Sequence, residues 1–171
     1  MESLAQASFI TKFNSTASEE IGLFIQNTNN KYAGILSKST SDTSRDYYLY
    51  KLNIYGDTVL NRKFGNADTI VTIQDMIQCN ANPIEYLVTG RSHKTNEPQN
   101  QYVSFFSKIN ENFEPVWEKF YRLRPADVNA SSEYLPHLLH KENGGYLFAT
   151  NINYPGDNRL ILFDISEQGD S

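Results

Sequence analysis

Apolar and polar residues alternate along most of this chain, in short runs closed by Asn, Gly or Ser, and no stretch holds a helical period. The clearest run is residues 46–57, DYYLYKLNIYGD. Alternation of that kind sends successive side chains to opposite faces of a strand. The glycine near its end accepts the positive φ that a tight hairpin connection demands. Residues 103–114 (VSFFSKINENFE) and 159–170 (RLILFDISEQGD) share the outline. Aligned, they place Asn53, Asn110 and Ser166 at one position, 57 and then 56 residues apart. So regular a period marks a repeat architecture.

The pattern predicts four strands per repeat. In the first these are residues 20–26, 31–37, 47–54 and 58–64. In the second they are 72–79, 84–91, 102–110 and 115–121. The third has 134–141, 146–152 and 159–165, with the chain reaching 171 where a fourth would begin. Residues 75–79 also admit one turn of helix, but their repeat partners read as strands. Residues 121–132 (YRLRPADVNASS) read as a long loop between repeats. Residues 8–13 (SFITKF) resemble 59–64 (VLNRKF) and 116–121 (VWEKFY), so the chain opens on what reads as the last strand of a repeat.

Short antiparallel strands in copied units of four are the signature of propeller blades. The expected fold is therefore all-β: a single partial β-propeller over residues 1–171, with about three four-stranded antiparallel blades. Blade 1 covers residues 20–65, blade 2 residues 72–122, and blade 3 residues 134–171 without its last strand. Residues 8–14 supply a leading fourth strand that belongs to a separate or closing blade. Propellers usually close with about 4–8 blades. The expected partners are thus the remaining blades of a longer propeller, whose last blade residues 8–13 would complete, or a second copy of the chain.

Composition narrows the class. Of 171 residues 39% are apolar and 13% aromatic, with 11 Tyr and 10 Phe, which favours strands over helices. The net charge of −5, with both signs scattered, offers no footprint for nucleic acid. No apolar run of roughly 18 residues exists to span a membrane as a helix. The one cysteine, Cys79, excludes an intrachain disulfide without fixing the compartment. It sits in a strand-like run without cationic neighbours, as a buried side chain rather than a reactive thiol. Near the N-terminus, Ala5-Gln6-Ala7 fits the small-residue end of a signal peptide, although a charged n-region and an apolar h-region are missing.

Lys51-Leu52-Asn53 and Lys108-Ile109-Asn110, each followed by a turn, together with Gly144-Gly145-Tyr146 and Val116-Trp117, resemble the blades of secreted bacterial β-propellers. These are the seven-bladed propeller repeats and the related blades of Bacteroidetes-type surface proteins. Tyr86-Leu87-Val88-Thr89-Gly90 is similar to the second strand of such a blade. The third repeat departs, with Asp164-Ile165-Ser166 at the Lys-Leu-Asn position, and the first has Leu60 in place of Trp. The resemblance implies a secreted or cell-surface protein, with the periplasm as the other exported location.

No motif singles out a reaction. His137 and His140 are three apart, so on a strand they face opposite ways and do not form a metal pair. Asp42 and Asp46 lack the dense oxygen spacing of a calcium loop. There is no nucleophile elbow, phosphate loop or zinc-protease motif. Neither cofactor nor metal is expected. Trp117 and the strand aromatics read as packing. Function concentrates on loops carried by a rigid scaffold, which makes Asp42, Arg45, His93, Lys94, Asn96, Arg124, Asp127 and Asp157 the candidate ligand-binding positions. The expected role is a non-enzymatic module that binds an envelope protein or glycan, or serves as a structural domain. The alternative is a domain of a propeller enzyme acting on carbohydrate, with its catalytic groups on the loop face.

Overall fold

A computed structural model describes residues 19–27, 29, 31–39, 45–65, 68–95, 102–122, 131–154 and 157–171. The leading strand expected at residues 8–14 lies outside them. The described chain is all-β, with eleven strands in three antiparallel sheets. The first sheet contains β1 (Glu19–Gln26), β2 (Tyr32–Ser39), β3 (Arg45–Leu52) and β4 (Thr58–Phe64). The second contains β5 (Thr69–Ala81), β6 (Ile84–Lys94), β7 (Val103–Asn110) and β8 (Pro115–Tyr121). The third contains β9 (Ser131–His140), β10 (Tyr146–Tyr154) and β11 (Asp157–Ile165). Every sheet is a meander in chain order, so each is a propeller-type blade, the third with three strands. Residues 75–79 are strand throughout and form no helical turn.

The chain divides into two compact units, Met1–Lys63 and Phe64–Ser171. In the first, β2 is apolar on both faces. Ala33 and Ile35 on one face are buried, and so is Leu36 on the other. Phe24 lies against Gly34, where even a methyl group would collide with its ring. The outer strand β4 is mostly exposed, and Lys63 on it pairs with Asp46 of β3 at 2.7 Å.

In the second unit the β5–β8 and β9–β11 sheets share a core. Leu87, Phe106 and Cys79 from one meet Leu138, Tyr146, Phe148 and Ile165 from the other. Phe106 is its centre, edge-on to Phe148 at 4.9 Å between ring centroids and stacked on Phe163 at 6.2 Å. Fully burying a side chain of this size contributes about 1.5–3 kcal/mol. The seam is therefore the main apolar contact between these two sheets.

The position shared by Asn53, Asn110 and Ser166 is a turn. At each, the backbone N–H donates to the carbonyl four residues on, and the N–H three residues on donates back. The side-chain oxygen then accepts two further N–H groups: Tyr55 and Asp57 at Asn53, Asn112 and Glu114 at Asn110, Gln168 and Asp170 at Ser166. Three-residue hairpin loops of this type place their last residue in the left-handed region. Those residues are Gly56, Phe113 and Gly169, with φ of 85°, 61° and 85°. Ser166 thus does the work of the Asn it replaces.

Candidate functional site

Of the loop positions singled out by sequence, Asp42, Asn96, Arg124 and Asp127 lie outside the described residues. Arg45 and Asp157 are the first residues of β3 and β11, and their side chains lie outside them too. His93 and Lys94 are not loop residues. β6 runs to Lys94, because its pairing with β5 continues through Ile70↔His93 and Thr69↔Lys94. The Asp68 carbonyl caps that end by accepting from the Thr95 N–H at 3.0 Å.

His93 is only 4% exposed and meets the Tyr102 ring edge-on at 4.4 Å. Arg91, two residues earlier and therefore on the same face, holds its guanidinium carbon 5.4 Å from the centre of that ring. A cation at that distance is attracted by the face of the aromatic ring. The Nε of Arg91 is buried and has no hydrogen-bond partner among the described residues. Lys94 follows, exposed. One end of the second blade thus gathers two cations, an imidazole and a phenol ring. Arg91 and Tyr102 were not singled out by sequence. The signal available was strand alternation, which aligns Arg91 with His93, and the β6–β7 register, in which Ser92 faces Val103 and Tyr102 follows opposite His93.

At the other end of the blades, Glu167 is held by four groups. The Gly145 N–H donates to Oε1 at 2.9 Å, where His140 Nε2 also lies at 3.0 Å. The Tyr146 hydroxyl donates to Oε2 at 2.8 Å and Lys108 Nζ lies 3.4 Å from the same oxygen. Partial burial opposes ionisation, but Gly145, His140, Tyr146 and Lys108 outweigh it and hold the carboxyl at about 2, against an ordinary 4.5. Burial would lower the Lys108 ammonium; contact with Glu85 at 3.0 Å and Glu167 raises it instead. Burial pushes the Cys79 thiol up, so it is protonated and unreactive, and burial likewise raises the Tyr146 phenol. Such a saturated carboxylate is a lock and not a base, since a catalytic base needs a free lone pair and a pKa near the working pH.

The turn that follows β11 extends the lock. Trp117 Nε1 donates to the Glu167 carbonyl at 3.0 Å, Tyr121 OH donates to the Gly169 carbonyl, and Lys119 pairs with Asp170 at 2.9 Å. Trp117 is accordingly part of the packing, as its repeat position suggested, and also a donor across the seam. His137 and His140 do diverge. His137 lies opposite Ala149 and His140 opposite Tyr146, on the two faces of the sheet. Among the described residues no group of three or more His, Cys, Asp or Glu is placed to hold a metal ion. None of them forms a helix long and apolar enough to cross a membrane. No protein-family model matches the chain, and no curated protein sequence matches it significantly.

Proposed function

We propose that the chain is a non-enzymatic β-propeller module of an exported bacterial surface protein, and that it binds an anionic glycan or protein segment at the end of the second blade. The observation that carries the reading is the grouping of Arg91, Tyr102 and His93 beside exposed Lys94. A guanidinium suits carboxylate or sulfate groups because it offers a planar fork of donors. A phenol ring beside it gives a sugar an apolar face to lie on. Export is supported by the Ala5-Gln6-Ala7 pattern and by the resemblance of the repeats to secreted propeller blades. The saturation of Glu167 supports a binding role over a catalytic one for the best-defined carboxylate.

Titration of the chain with uronic-acid oligosaccharides and with an acidic peptide, followed by NMR, tests the proposal. Binding should shift the His93 and Tyr102 resonances and weaken at least tenfold in Arg91→Ala. Shifts confined to other residues, or affinity unchanged by Arg91→Ala, would sink it. Cleavage of the oligosaccharide by the unaltered chain would replace it with the carbohydrate-enzyme reading.

A further inference from the structure

Phe106 and Phe148 meet at the centre of the seam between the β5–β8 and β9–β11 sheets, and the strands run on past them. Phe106 lies opposite Thr89 of β6, and the next pair on that face is Ser104 with Arg91. On β10 the next residue on the face of Phe148 is Thr150, since pairing with β11 continues there without a bulge. Both steps run the same way along the seam. One step in the other direction stand Lys108 on one sheet and Tyr146 on the other, and both meet Glu167. Arg91 and Thr150 therefore stand at the same level, one on each sheet.

Thr150 is 2% exposed, and its hydroxyl has no hydrogen-bond partner among the described residues. The buried Arg91 Nε is in the same condition. Packing does not require a hydroxyl at this position. Leu36 and Gly90 hold it in the first two blades, opposite Tyr48 and Phe105 as Thr150 is opposite Ile161. A buried hydroxyl without a partner destabilises a fold, so nearly all such groups are satisfied by protein, water or a bound group. The Nε–H of Arg91 is a donor, and the Thr150 hydroxyl can be one. An oxygen placed between them accepts from both, and a guanidinium holds a charged oxygen more strongly than a neutral one. His93 and Tyr102 continue the same face beyond Arg91.

We infer that Thr150 is a ligand-binding residue: with Arg91 it forms a subsite for one oxyanion group of the ligand, at this end of the seam. The inference rests on the anionic-ligand reading of Arg91, His93 and Tyr102, and gives that site a second wall from the β9–β11 sheet. The oxyanion is a carboxylate or a sulfate, and the two are separated by titration.

The full chain and its Thr150→Val variant are titrated by NMR with a uronic-acid oligosaccharide, a sulfated oligosaccharide and an acidic peptide. Valine keeps the branched shape and removes the hydroxyl. Its melting temperature should equal or exceed that of wild type, because an unpaired buried group is gone. Whichever probe binds wild type should bind Thr150→Val about tenfold more weakly, and Thr150→Ser, which restores the hydroxyl, within about threefold of wild type. The probe that loses most identifies the oxyanion. A valine variant less stable than wild type overturns the inference, since the hydroxyl would then be bonded within the fold. Binding lost in Arg91→Ala but kept in Thr150→Val also overturns it, while leaving the site on the second blade standing. Binding of none of the three probes to wild type removes both.

Discussion

Trp117 and Glu167 are 50 residues apart in sequence, yet the indole N–H of one donates to the backbone carbonyl of the other at 3.0 Å. The bond joins the outer strand of one blade to the turn that leaves the third strand of the next. Trp117→Phe keeps most of the ring and removes the donor, leaving a partly buried carbonyl unpaired. The expected cost is about 1–2 kcal/mol, read as a lower denaturant midpoint with unchanged slope. A variant as stable as wild type would show the bond to be incidental.

Glu167 makes the seam sensitive to acid. Its folded value, about 2, lies below the ordinary 4.5, so ionisation stabilises the fold above about pH 4.5, and the contribution is lost as the pH falls toward 2. Its side chain is 35% exposed, so solvent screening reduces the contribution to about 1–2 kcal/mol. Denaturant titrations at a series of pH values should show Glu167→Gln with a flatter acid limb than wild type. Parallel limbs would remove Glu167 from the account.

Phe113 offers a test of backbone strain. Its φ of 61° places a bulky residue where the other two turns have glycine, at a cost of about 1–2 kcal/mol. Burial repays this: the ring is 3% exposed and lies 5.9 Å from that of Tyr86. Phe113→Ala and Phe113→Gly lose the same ring, but only glycine relieves the strain. Glycine should therefore be the more stable variant by about 1 kcal/mol, reversing the usual order. Thermal melts of the pair decide it.

Gly169 is constrained twice. Its φ is 85°, and a Cβ there would stand 2.9 Å from Lys119 Cγ and 3.0 Å from the Trp117 ring. Gly169→Ala should cost about 1–3 kcal/mol. Gly144→Ala, with φ of 88° and a Cβ that would meet nothing nearer than the Glu167 Cγ at 3.7 Å, meets the φ penalty without so close a contact. Comparing the two melting temperatures separates the terms, and an equal drop would mean that the Trp117 contact yields freely.

The repeat positions were legible because each turn is a local object. Asn53, Asn110 and Ser166 accept N–H groups two and four residues away, and that capacity belongs to the side chain itself. Strand ends were less legible. β5 runs from Thr69 to Ala81 although alternation suggested 72–79, because ladder pairing with β6 continues past the apolar pattern. For the same reason His93 and Lys94 moved from an expected loop onto a strand.

The seam shows the limit of sequence. Lys108 recurs at the position of Lys51, and Glu167 at that of Glu111. The observed pairing, though, joins the lysine of one repeat to the glutamate of the next, across 59 residues. Nothing within a single repeat implies it. By itself, sequence determined the strands, their meander order and the turns, since hydrophobic alternation and turn chemistry act within a few residues. Only the tertiary structure decided which face of each sheet is buried, which carboxylate is caged, and that Leu139, Leu160 and Leu162 stay exposed. Those outcomes depend on how two sheets stack, and stacking is set by surfaces assembled from strands far apart in the chain.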